Sequence, residues 1–269
     1  MPQDEPQLGQ PTSPALTAFI AEMERFPVWT LGDVAKIAGI FVLAFIFSMI
    51  LGIMIASGLP SFKGKPPSAL ATNALFTAGT ELLTYAITFW FVYRLVVHHY
   101  GVSFGEGIRW RWPKSSWPLY LLIGIALSLT VQGLAHVLPQ PGHVPFQDLF
   151  QSTSAAWILT LFGLLIAPPA EELFFRGLLF PALQQKLNLF WSVSLTAFAF
   201  SALHGAQYGF YWSPLIGIFI VGVVLTLVRA KANSLAASVI THMAYNGLIF
   251  VVLIYGTQGY THLQGITGR

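Results

Sequence analysis

Seven apolar stretches, each closed by a polar break, set the rhythm of this chain: residues 36–58, 70–97, 117–138, 155–186, 189–206, 213–230 and 234–256. Apolar runs of about 18 or more residues mark membrane-crossing helices, because hydrocarbon leaves the backbone no partner but itself. The pattern predicts an all-α fold, a polytopic transmembrane helical bundle of seven to eight spans. The eighth would come from the fourth stretch, which is too long for one straight crossing of a core about 30 Å thick. It carries Pro168-Pro169 and Pro181, and proline kinks or breaks a helix. Ahead of the spans, residues 1–30 are polar and proline-rich at the start. Within them Leu16, Phe19, Ile20, Met23 and Phe26 recur at helical spacing opposite Glu22, Glu24 and Arg25, as in a helix lying on a membrane surface or packed on the bundle. The expected organisation is a polar N-terminal segment, 1–30, and a single transmembrane helical domain, 31–269.

Composition agrees: 55% of the 269 residues are hydrophobic and 9% charged, against about 25% charged in soluble domains. The absence of cysteine removes disulfides, thiolate nucleophiles and thiolate metal sites. No basic aromatic array points to nucleic acid, and no glycine loop points to phosphate. Asp4 and Glu5 exclude a secretory signal peptide at the start. Charge placement then gives an orientation. Arg25, Lys36, Arg94, Arg109, Arg111, Lys114, Arg176, Lys186, Arg229 and Lys231 fall on the side of the N-terminus, leaving Lys63, Lys65 and Arg269 for the other. The positive-inside rule puts that N-terminus in the cytoplasm of a multi-pass membrane protein, at the inner or plasma membrane if the source is bacterial.

Against this apolar background a few polar residues stand out. Glu171, Glu172 and Arg176 lie in the fourth stretch, His204 in the fifth, His242 and Asn246 in the last. Ionisable groups at membrane depth are costly and usually face a cavity where they work. Halfway between Glu171 and His204 falls the polar break Gln184-Gln185-Lys186-Leu187-Asn188, so helices running out and back from it bring both residues to one level, about 25 Å from the turn. His242 and Asn246 project from one face, about 12 and 18 Å along a helix capped at Ser234. Glu172 and Arg176 are also four apart and pair along their helix, which leaves Glu171 to face the cavity. A helix restarting at Pro168-Pro169 would add its positive end to the glutamates. Glu81, a third acid in an apolar span, has three readings: reaching Arg176, lining the cavity, or capping a broken helix. Phe174, Phe175 and Phe180 read as lipid-facing packing or as the wall of a groove for a lipid-like substrate.

The constellation suits hydrolysis. A glutamate in an apolar cavity can serve as general base on water near neutrality. Glu171 takes that role with His204 positioning the water or relaying its proton. His242 and Asn246 supply donors to a developing oxyanion, Glu172 and Arg176 support them, and no metal or cofactor is required. Glu-Glu-x-x-x-Arg at 171–176, Phe-x-x-x-His at 200–204 and His-x-x-x-Asn at 242–246 resemble the three motifs of the CPBP family, which contains the type II CAAX prenyl endopeptidases and the Abi-type proteins. The resemblance covers about residues 155–250. It implies a metal-independent intramembrane glutamic endopeptidase, with Glu171 and His204 activating water and His242 and Asn246 as the oxyanion pair. Its implied partners are the bilayer and a membrane-associated protein or peptide substrate, lipidated and CAAX-like in the eukaryotic members. Three other readings use the same residues. A zinc metalloprotease would ligate metal through the glutamates and histidines, though no His-Glu-x-x-His helix is present and Asn246 is a poor ligand. A proton-coupled transporter would run a relay through Glu81, Glu171 and His204. A non-catalytic scaffold or immunity protein would keep the cluster for stability.

Overall fold

The computed structural model describes residues 29–62, 66 and 68–267; the surface helix expected at 16–26 lies outside them. Seven helices carry the fold: α1 (Leu31–Ser57), α2 (Ala74–His99), α3 (Trp117–Val137), α4 (Thr153–Gln184), α5 (Leu189–Leu203), α6 (Trp212–Ala232) and α7 (Leu235–Gly256). Among the described residues there is no strand. Six of the helices are long and apolar enough to cross a membrane. The fifth, α5, has 15 residues and reaches only about 22 Å. Outward faces stay apolar, with Leu43, Phe47, Met54, Leu122, Phe198 and Val251 exposed.

Polar residues at the breaks start the helices. Thr30 and Asp33 form a reciprocal capping box at the head of α1. The Asn188 side chain accepts from the Trp191 amide at 3.1 Å to open α5. Asn233 closes α6 in the left-handed conformation (φ 47°), a conformation asparagine tolerates better than most residues. Ser234 then accepts from the Ala237 amide at 3.2 Å and caps α7, as expected from its place in the sequence.

The fourth stretch does not break into two crossings. α4 runs continuously because each proline is preceded by a π-helical turn, Phe162–Ile166 ahead of Pro168-Pro169 and Leu173–Leu179 ahead of Pro181. Widening the turn lets the backbone pass where proline supplies no N–H and its ring crowds the preceding carbonyls. No helix restarts at Pro168-Pro169, so the expected positive end is not formed there. A π turn also takes up more residues per unit length than an α turn. Glu171 therefore sits closer to the α4–α5 turn than a straight α-helix would place it.

Tight crossings at small residues, usual where helices pack in lipid, fix the register of the site. α3 lies along α7, α5 along α6, and α1 along α2. At Gly124 of α3 a Cβ would stand 2.3 Å from the Thr241 carbonyl oxygen and 2.7 Å from the Ala244 Cβ. Gly124→Ala is therefore expected to separate α3 from α7 and to cost about 1–3 kcal/mol. Thermal unfolding in detergent would show the loss, and any activity should fall further than stability because α7 carries His242. At Gly222 of α6 the corresponding clash is with Ala197 of α5, at 2.9 Å from its Cα.

Candidate active site

Leu127, Phe175, Phe200, Val221 and Leu225 form a buried apolar cluster from α3, α4, α5 and α6, and the polar residues meet beside it. Arg176 and Glu172 are wholly buried and 2.8 Å apart, Nη1 to Oε1, one turn apart on α4 as their spacing requires. Arg176 Nη2 donates to the Gly222 carbonyl at 2.9 Å and Nε to Thr226 Oγ1 at 3.2 Å. Its guanidinium lies 4.5 Å from the Phe200 ring centroid, a cation–π contact in a dry setting. Glu172 accepts from three donors in all. Besides Arg176, these are Ser238 Oγ at 2.5 Å and His242 Nδ1 at 3.0 Å. Three of the roughly four acceptor positions of this buried carboxylate are thus taken by protein donors.

His242, 4% exposed, stands between the two glutamates. Its Nδ1 faces Glu172, and its Nε2 lies 3.8 Å from Glu171 Oε2, an ion-pair separation too long for a hydrogen bond. Because a carboxylate held by Arg176 only accepts, Nδ1 keeps its proton. Nε2 is then an acceptor in the neutral ring and a donor in the imidazolium. His204 ends α5, and its Nδ1 donates to the Phe200 carbonyl at 2.8 Å. That bond leaves Nε2 as the lone-pair nitrogen of the neutral ring.

Asn246 shows how the prolines reach into the site. In the π turn the Ala167 amide bonds the Phe162 carbonyl. The next amide in that register would be residue 168, a proline with no N–H, so the Gly163 carbonyl loses its helical partner. Asn246 Nδ2 fills the gap, donating to Gly163 O at 2.8 Å. One amide hydrogen of Asn246 anchors the side chain and the other remains for a second acceptor.

Glu171, His204, His242 and Asn246 all line one cavity of about 340 Å³, together with Glu81, Tyr85, Gln207, Tyr208 and Tyr245. Of the three readings of Glu81, the structure has it lining this cavity. Glu171 and Tyr85 also line a second, larger cavity of about 820 Å³ whose walls are almost wholly apolar, among them Phe41, Leu82, Phe89, Phe104, Phe174 and Phe175. Phe174 and Phe175 thus face the groove, whereas Phe180 is buried at 1% exposure. Sequence reasoning missed Ser238, Thr226 and the Gly163 carbonyl. The first was within reach, since Ser234, Ser238, His242 and Asn246 follow one another at intervals of four along one face of α7. Among the described residues no group of three or more histidines and acids is placed to hold a metal ion.

Residues 152–248 match the family model described as type II CAAX prenyl endopeptidase Rce1-like, in agreement with the three motifs, all of which lie inside that stretch. The match leaves α1, α2 and α3 outside, and with them Glu81 and Tyr85. No curated protein and no solved structure matches the chain. The family is one of proteases, and with six crossing-length helices the chain is an integral membrane protein.

Proposed function

We propose that this Rce1-like domain, in a single transmembrane unit that begins at residue 31, is a metal-independent glutamic endopeptidase acting on a lipidated peptide. The carrying observation is that Glu171 lines both the polar cavity and the apolar groove. An apolar chain in the groove brings the peptide attached to it to Glu171, the carboxylate that lines both cavities. Glu171 takes a proton from that water as its oxygen attacks the carbonyl carbon, and His204 Nε2 accepts a hydrogen bond from the same water. The tetrahedral oxyanion is received by the free amide hydrogen of Asn246 and, in the imidazolium form, by Nε2–H of His242. As the carbon–nitrogen bond breaks, the leaving nitrogen recovers the proton from Glu171. Glu172 and Arg176 hold His242 and touch no reactant. On this reading the basic end of the bundle, with the N-terminus, faces the cytoplasm.

The test compares a prenylated peptide with the same peptide unmodified, using purified protein in detergent. Each buried methylene contributes about 0.8 kcal/mol, so even partial burial of the chain should raise kcat/KM by at least about 100-fold. Asn246→Ala should lower kcat by about 10²–10³-fold with KM little changed, because an oxyanion contact strengthens only in the transition state. Equal cleavage of both peptides would refute the groove as the lipid site. Loss of activity to a chelator, restored by zinc, would refute the metal-independent mechanism.

A further inference from the structure

Hydrogen bonds between distant residues sort the helix ends into two faces of the bundle. On the first, Gln185 Nε2 donates to the Trp29 carbonyl at 2.8 Å, tying the α4–α5 connection to the head of α1. There too the Tyr100 hydroxyl donates to Asp33 Oδ2 at 2.6 Å, and the Leu235 amide donates to the Arg109 carbonyl at 2.9 Å. These join the α2–α3 connection to the heads of α1 and α7. On the second face, Ser213 Oγ donates to the Pro139 carbonyl at 2.5 Å and Thr153 Oγ1 to the Tyr260 carbonyl at 2.8 Å. Every lysine and arginine among the described residues belongs to the first face, apart from the buried Arg176. Along this axis the two cavities run opposite ways from Glu171 and Tyr85, which line both. The polar cavity reaches Ala71, Pro145 and Gln207, exposed residues of the second face. The apolar groove reaches Phe104, Ile108 and Trp110, in the α2–α3 connection of the basic face.

We infer, resting on the hydrolytic reading above and its cytoplasmic basic face, that the substrate is a lipid-anchored peptide of the extracytoplasmic leaflet. Its polypeptide enters through the polar cavity, from the face opposite the basic loops. The direction of the groove agrees. A chain anchored in one leaflet points toward the other, and beyond Glu171 the groove continues toward the basic face. A chain lying in it therefore descends from an anchor on the second face. A lipidated protein of the cytoplasmic leaflet would present its chain in the reverse direction. Its peptide would then lie along groove walls that are almost wholly apolar and leave backbone groups without partners. In the polar cavity Gln207, Tyr208 and Tyr245 stand beside the motif residues and carry the donors and acceptors a peptide needs.

The chain has no cysteine, so a single introduced thiol reports its side of the membrane without background. Gln207→Cys marks the polar mouth and Lys186→Cys the basic face. Each is treated with a membrane-impermeant maleimide in right-side-out and in inverted membrane vesicles. Gln207→Cys should react only in right-side-out vesicles and Lys186→Cys only in inverted ones. Reaction of both from one side would overturn the inference, because the polar cavity would not open on the opposite face. Reaction of Gln207→Cys only in inverted vesicles would overturn it by reversing the bundle, with hydrolysis untouched. A second readout supplies a farnesylated peptide with a highly charged segment from outside the vesicles. Because such a segment does not cross hydrocarbon, right-side-out vesicles should cleave it at least about tenfold faster than inverted ones. Detergent should erase the difference. Faster cleavage by inverted vesicles would overturn the inference. No cleavage by either preparation in detergent would strike the hydrolytic reading and the peptide substrate with it, while the labelling still reports where the cavity opens.

Discussion

Glu171→Gln should lower kcat by about 10²–10⁴-fold, the range a positioned general base contributes, while leaving the protein folded. Glutamine keeps the size of the side chain and a carbonyl that can accept a hydrogen bond from water, but it cannot take the proton. The fold should hardly notice the change, because the Glu171 side chain is 14% exposed in the cavity and the His242 ring lies 3.8 Å from it, beyond hydrogen-bond reach. The melting temperature should stay within about 2 °C of wild type, as for substitutions that disturb no packing or buried network. Peptide release measured alongside a thermal melt gives both readouts from one preparation. Unchanged turnover would remove Glu171 as the base, and a collapsed melt would make it a structural group instead.

Removing the counter-charge of the neighbouring Glu172 should do the opposite. Arg176→Met leaves Glu172 with no counter-charge at 0% exposure, and breaking a buried pair by deleting one partner costs about 3–5 kcal/mol. The melting temperature should drop sharply, and the purified fraction should shrink with it. Glu172→Leu combined with Arg176→Met should recover much of that stability, since buried pairs can be replaced by apolar residues of similar volume with little net loss. The recovered variant should still turn over slowly. His242 Nδ1 would have lost its acceptor, and with it the orientation that aims Nε2 at the cavity. A double variant that is both stable and fully active would show that Glu172 holds only the bundle and not the histidine.

The local elements of this site were open to inspection in the chain itself. The pairing of Glu172 with Arg176 and the cap at Ser234 each depend on residues within four positions of one another, where helical geometry alone decides who meets whom. The motif residues announced themselves for a different reason: a charge or imidazole in a long apolar run is conspicuous because lipid tolerates it so poorly. The run lengths were less informative. They marked seven helices, yet α5 ends at Leu203, and its last apolar residues belong to the turn that follows. Nor could proline content show how α4 would pass its prolines. A break and a π turn both answer a missing N–H, and neighbouring helices select between them.

What the sequence settled by itself was therefore the helical, membrane-embedded class and the short-range pairs, because hydrophobic run length and helical periodicity act between near neighbours. The tertiary structure alone decided which distant groups face each other. Asn246 finds a carbonyl 83 positions away, left open by a proline, Glu81 and Tyr85 enter the cavity from a helix outside the motifs, and an apolar groove shares Glu171 with it. Such meetings depend on helix rotation and on crossings as close as Gly124 against Thr241, which only the packing of whole helices sets.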